Sequence, residues 1–146
     1  MKIIDVIPEH IGKIAELERR CFFDPWSEIM LASELENEFS QFVAAVDNGT
    51  IIGYAAIRLV CGEGEITNIA VDPDRRKGGV GGALLNALIS RAKNSGAEAI
   101  SLEVRESNTA AQCLYAKNGF VRTGLRKGYY ADNGEDAVLM TLFIEP

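Results

Sequence analysis

Hydrophobic residues change their spacing several times along the chain, and each change predicts an element. Lys2 to Val6 is a short β-type run, stopped by Pro8. From Glu9 to Cys21, residues Ile11, Ile14, Ala15, Leu17 and Cys21 fall at helical spacing, and Pro8 fits the first turn of that helix. Phe22 to Ser27 breaks the pattern. Ser27, followed by Glu28, predicts the N-cap of a second helix running to about Glu36. Gln41 to Val46 and Thr50 to Val60 are β runs joined by Asp47-Asn48-Gly49, a hairpin signal. Cys61 to Gly64 turns the chain again, into a strand from Glu65 to Val71.

The second half changes period. From Val80, residues Leu84, Leu85, Leu88, Ile89 and Ala92 form a broad apolar helix face, with Gly96 as its stop. Ala99 to Arg105 alternates: Ile100, Leu102 and Val104 point one way, Ser101, Glu103 and Arg105 the other. Strand, helix and strand of these lengths make a βαβ crossover and hence a parallel pair. Asn108 can cap a short helix carrying Ala111, Leu114 and Tyr115 and ending at Asn118-Gly119. Phe120 to about Tyr130 and Ala137 to Ile144 are the final β runs. The expectation is one domain over residues 1–146, of mixed α/β class, around a sheet of about seven strands.

Composition narrows the class. With 146 residues, 47% hydrophobic and 25% charged, the chain is an ordinary globular sequence long enough for one core. A net charge of −6 argues against a nucleic-acid surface; it fits either a cationic substrate or plain solubility. No apolar run reaches the length of a signal peptide or a membrane span. Cys21, Cys61 and Cys113 are widely spaced and odd in number, which fits a reducing cytoplasm. His10 is the lone histidine, so no zinc ligand set exists; it reads as a surface residue. The expectation is a cytoplasmic protein without a metal, a monomer or weak dimer.

Between the crossover's first strand and its helix lie Asp72-Pro-Asp-Arg-Arg-Lys-Gly-Gly-Val-Gly-Gly82. Glycines let main-chain amides approach a ligand, and a helix start adds unpaired N–H groups and a positive dipole end. Arg75, Arg76 and Lys77 put positive charge at the mouth. The inference is a phosphate-bearing ligand held mainly by main chain. A P-loop would need Lys-Ser/Thr after the last glycine, and Ala83 stands there. A dinucleotide fingerprint would need glycine where Leu84 stands, and a second βαβ half.

The run from Val71 to Gly81 resembles the pyrophosphate loop of the GNAT acyl-CoA N-acyltransferases, whose Gln/Arg-x-x-Gly-x-Gly pattern falls on Arg76, Gly79 and Gly81. Leu102 to Asn108, Leu114 to Phe120 and Arg126 to Tyr130 narrow the likeness to the RimI-type enzymes, which acetylate the N-terminal alanine of a small-subunit ribosomal protein. The resemblance covers nearly the whole chain. It implies the GNAT fold, a mixed central sheet with helices on both faces. It also implies acetyl-CoA in a cleft between the strand ending at Val71 and the strand Ala99 to Arg105. The pantetheine arm would pair with Ile69, Ala70 and Val71. The pyrophosphate would lie on Lys77, Gly78, Gly79, Val80, Gly81 and Gly82, with Arg76 and Asn108 as further contacts. Glu103 would be the general base. Tyr115 would contact the cofactor and act as general acid. Trp26, Tyr129 and Tyr130 would contact a basic peptide or ribosomal-protein N-terminus. The sequence departs from the family pattern at Ala131, where proline usually follows the tyrosine pair, and at Arg75 and Gly78.

Each assignment has a plainer alternative. Glu103 could be a surface carboxylate paired with Arg105 or a lysine, Tyr115 could be core, and the Phe22–Trp26 aromatics could pin their loop. The chemistry favours an α-amine over lysine as nucleophile: reference pKa values of about 7.7–8.0 and about 10.4 make its deprotonation cheaper by roughly 3.4 kcal/mol. A lysine side chain or small amine, or a non-catalytic CoA sensor, are the competing readings.

Overall fold

The computed structural model describes residues 1–145. Seven strands form one sheet in the order β1-β2-β3-β4-β5-β7-β6, where β1 is Lys2–Asp5, β2 Ser40–Asp47, β3 Thr50–Val60, β4 Glu63–Val71, β5 Ala99–Arg105, β6 Val121–Arg126 and β7 Ala137–Phe143. All neighbours are antiparallel except β4 and β5. That parallel pair is the consequence of the predicted crossover through α3, Val80–Asn94.

Helices cover both faces. On one, α1 (Ile11–Cys21) and α2 (Glu28–Leu35) bury Ile14, Leu17 and Leu31 against Phe42, Ala44, Tyr54, Ala56 and Ala70 of the sheet. On the other, α3 and α4 (Thr109–Lys117) place Leu84, Leu85, Leu88 and Tyr115 against Val43, Ala55, Ile57, Ile100, Leu102 and Val104. Each fully buried Leu or Ile is worth roughly 1.5–3 kcal/mol.

Both predicted tight turns form with left-handed backbone, Asn48-Gly49 and Cys61-Gly62. The second is tighter than the sequence reading, so β4 starts at Glu63. One other expectation is corrected. The last hairpin's first strand stops at Arg126, because Gly128 turns left-handed and donates its N–H to Asp136 Oδ1 at 2.8 Å. Tyr129 and Tyr130 therefore sit in a loop. His10 lies in a 3-10 turn with no buried residue, Pro8–His10, and its Nδ1 accepts the Ile7 N–H at 3.0 Å in an exposed bond, as a surface residue would.

One irregularity positions everything that follows. In β4, Ile66 pairs with Ile57 and Asn68 with Ala56, so Thr67 is the extra residue of a β-bulge. The bulge reverses facing. Ile66 packs toward α3, yet Ala70 packs toward α1. It also ends the β4–β5 ladder: only Glu63, Gly64 and Glu65 pair, with Ala99, Ile100 and Ser101. Beyond that rung the two strands diverge and leave an open cleft.

Candidate active site

The cleft has a main-chain wall and a side-chain wall. The main-chain wall starts on β4. Asp72 N–H donates to Ile52 of β3 at 2.8 Å, so alternation turns the polar groups of Ile69 and Val71 outward, away from β3. The Val71 carbonyl is already engaged by Arg76 Nε at 3.3 Å and by the Cys21 thiol at 3.4 Å. The outward backbone groups of Ile69 have no such partner among the described residues. Ala70 between them is buried and faces α1.

Downstream, Asp72 Oδ1 accepts the Asp74 N–H at 2.9 Å and nucleates a 3-10 turn, Pro73–Arg75. Lys77 (φ 68°) and Gly79 (φ 85°) are both left-handed, which curls successive amides into a concave rim. Gly79 is the N-cap of α3 and has no side chain to satisfy the first amides. The N–H groups of Val80, Gly81 and Gly82 therefore point out of the helix start with its positive dipole end. A side chain at Gly81 would meet Leu114 at 3.3 Å, so glycine also sets how closely α3 approaches α4. This cradle fits a diphosphate.

Charge at the mouth is less than the sequence reading implied. Arg75 is bound to Asp47 at 2.8 Å, and Arg76 folds back over Val71. Lys77 has no ion-pair partner among the described residues. Arg20, from α1, is paired with Asp72 at 3.0 Å and Asp74 at 3.3 Å.

The side-chain wall is β5 with the loop after β6. Glu103 points to the α1 face, as the alternation predicts, but its partner is Arg126 at 3.1 Å, not Arg105 or a lysine. Arg105, on the same face, is held by Asp132 at 3.0 Å and Glu135 at 3.3 Å. Its guanidinium also lies 4.0 Å from the Tyr130 ring centroid, a cation–π contact. Glu135 in turn accepts the Ser107 N–H at 2.6 Å, which holds its carboxyl down at about 2. These contacts dock the loop carrying Tyr129 and Tyr130 onto the β5–α4 connection. The two rings meet edge to face at 5.1 Å. Tyr129 is 51% exposed, and the Glu103 carboxylate beside it raises its phenol.

Tyr115 is buried against Phe120, with ring centroids 5.8 Å apart. Burial, reinforced by Tyr130, pushes its phenol up to about 12. Its hydroxyl has no hydrogen-bond partner among the described residues. Asn108 caps α4, its Oδ1 accepting the Ala111 N–H at 3.1 Å; its amide N–H groups remain on the exposed side. Trp26 is half-buried against the α1–α2 core.

Sequence reasoning missed Glu18. It is the one buried charged residue among those described, 1% exposed. Its Oε1 accepts the Trp26 N–H at 2.9 Å; its Oε2 accepts the Tyr54 hydroxyl at 2.6 Å and Asn68 Nδ2 at 3.3 Å. The signal in the sequence was Glu18 on the same helical stripe as Ile11, Ile14 and Leu17. Arg105 and Arg126 carried no such signal, since their partners are remote in the chain.

Residues 11–120 match the model of the acetyltransferase (GNAT) family. The chain is 39% identical over 128 residues to the ribosomal protein bS18-alanine N-acetyltransferase of Escherichia coli, covering 86% of each sequence. It is 39% identical over 134 residues to the N-alpha-acetyltransferase RimI of Mycobacterium tuberculosis, covering 88% of this chain and 83% of that one. The crystal structure of the Escherichia coli ribosomal-protein-S18-alanine N-acetyltransferase superposes with a TM-score of 0.92 at 35% identity, covering 99% of this chain and 94% of the other.

Proposed function

This chain belongs to the GNAT acetyltransferase family and is an acetyl-CoA-dependent N-acetyltransferase, and we propose that its acceptor is a protein N-terminal α-amine, the N-terminal alanine of a small-subunit ribosomal protein. The observation that carries the reading is the cleft opened by the Thr67 bulge, with an anion cradle at one end and one carboxylate, Glu103, on its side wall. Similarity to bS18-alanine N-acetyltransferases over most of both chains supports the acceptor. In the same reading the partner is a basic N-terminal peptide, the compartment is the cytoplasm, and the protein works as a monomer or weak dimer.

The acetyl donor is a substrate of the reaction. Ile69, with Ala70 and Val71 behind it, offers backbone groups to the pantetheine amides. Arg76 to Gly82 offer amides and charge to the pyrophosphate, and Asn108 offers its free amide N–H groups. Glu103 takes a proton from the amine as the N–C bond forms and the C–S bond breaks. Tyr115 supplies a proton to the departing thiolate, and solvent restores both groups. The carboxylate has only to receive the proton of an amine that is already partly neutral near pH 8. At about 12 the Tyr115 phenol stays protonated at any working pH. It is a weaker acid than an ordinary thiol near 8.5, so its help comes from a proton shared as the bond breaks. Tyr129, Tyr130 and Trp26 contact the incoming peptide.

The test is thiol release from acetyl-CoA with short peptides bearing free or blocked N-termini. Turnover only with free termini is expected. Turnover with a blocked, lysine-containing peptide would move the acceptor to a side-chain amine.

A further inference from the structure

We propose that Asn68 Oδ1 and Glu103 Oε2 together receive the two N–H groups of the attacking primary amine, with Glu18 holding the Asn68 amide in the receiving orientation. The inference deepens the proposed function and rests on it. Among the described residues, two side-chain polar atoms are buried without a hydrogen-bond partner, and they are these two. Both are acceptors. A buried acceptor left unpaired costs free energy, so such atoms in a native fold call for a donor.

Their positions in the ladder bring them to the same level. Glu65 and Ser101 form the last paired rung between β4 and β5. Glu103 lies two residues past Ser101. Asn68 lies three past Glu65, but Thr67 is the extra residue of the bulge, so Asn68 also stands two rungs on. Both side chains face α1: Asn68 bonds Glu18 there, and Glu103 lies opposite Leu102 and Val104, which pack toward α3. If the strands had stayed paired, these residues would be cross-strand neighbours. The β4–β5 pairing stops before them instead, after the Glu65–Ser101 rung.

The orientation of each group is set by its other contact. Asn68 Nδ2 donates to Glu18 Oε2, and the flipped amide would put two oxygens together. Tyr54 donates to the same oxygen, with its phenol pushed upward by burial and by the Glu18 charge, so it stays a donor. Glu103 Oε1 is taken by Arg126, leaving Oε2, with the Tyr129 phenol beside the same carboxylate. A neutral primary amine has two N–H bonds and one lone pair. Bonding both hydrogens to two fixed acceptors aims the lone pair away from them, toward the thioester carbonyl in the cleft. A secondary amine can satisfy only one acceptor.

The experiment uses Asn68→Leu, which keeps the side chain's bulk and removes its polar atoms, on two peptides: one beginning with alanine, one with N-methylalanine. On the alanine peptide, kcat/KM is expected to fall about tenfold or more, a lost hydrogen bond to the reacting nitrogen. Acetyl-CoA affinity is expected to hold, and the preference for the primary amine to shrink. Unchanged kcat/KM, or an equal loss on both peptides, would overturn the proposal. Should Asn68→Leu fail to fold, Glu18→Gln decides. Its amide can donate to Asn68 Oδ1, turn the Asn68 amide around and produce the same selective loss; retention of full activity would sink the idea. If the wild-type protein acetylates only lysine peptides, the proposed acceptor has failed. The Asn68 assignment is then judged separately on lysine against N-methyllysine side chains, with the same outcomes.

Discussion

The two walls of the cleft are built on different principles. The cradle from Asp72 to Gly82 is main chain: two left-handed residues, an uncapped helix start and hydrogen bonds spanning a few positions. The facing wall is side chain: Glu103 with Arg126, Arg105 with Tyr130, Asp132 and Glu135, and across the gap Asn68 with Glu18 and Tyr54. A main-chain site can grip any diphosphate and is indifferent to the acceptor. A side-chain site holds specific atoms and decides what reacts. Changes in the cradle should therefore move donor affinity, and changes in the wall should move turnover or the acceptor.

The sharpest way to break that division is Glu103→Gln. Removing a general base commonly costs between about a hundredfold and ten-thousandfold, so turnover should drop by at least about a hundredfold while acetyl-CoA affinity, read by calorimetry, stays put. Weakened donor binding with normal turnover would merge the two walls into one.

Tyr115→Phe is the next step down. The phenol is uphill of the thiolate, so its loss should slow turnover by about tenfold, with donor affinity again unchanged. A rate equal to wild type, measured where chemistry limits, would return Tyr115 to a packing role against Phe120.

On the cradle side, Gly79→Ala isolates the backbone. Nothing lies within 4 Å of the added Cβ, and φ is +85°. The expected cost is conformational alone, about 1 kcal/mol, which is roughly a fivefold rise in the KM for acetyl-CoA with kcat retained. A fall in kcat at saturating donor would show that the cradle also orients the thioester.

The same contrast explains what could be read from the sequence. Gly79, Gly81 and Arg76 sit close together, and their spacing alone pointed to a phosphate cradle. The crossover, both tight turns and the α1 and α3 stripes are equally local, so they were legible too. Thr67 carries no mark of a bulge, because a bulge is a property of the pairing between β3 and β4. Arg75 reads as free charge until the β2–β3 turn brings Asp47 to it. Glu18 looks like one more helix carboxylate until Tyr54 and Asn68 close over it. The run from Phe120 to about Tyr130 reads as strand, and only the left-handed Gly128 and its bond to Asp136 end it.

The smallest effect expected separates the loop from the chemistry it shields. The Glu135 carboxyl sits at about 2 in the fold against an ordinary 4.5, chiefly because Ser107 hydrogen-bonds it. Folding therefore favours its ionised form. Its contribution to stability is complete above about pH 4.5 and is lost as the pH falls through about 2. Glu135→Gln removes that contribution at every pH. The denaturation midpoints of wild type and variant should thus differ most above pH 4.5 and converge as the pH falls toward 2. At neutral pH the variant also frees one side of Arg105, so the peptide KM should rise a fewfold, with donor KM unchanged. A midpoint difference that does not vary with pH would mean that Ser107 and Arg105 hold this loop without the Glu135 charge. The acceptor wall would then owe its order to the Tyr130 stack and Asp132 alone.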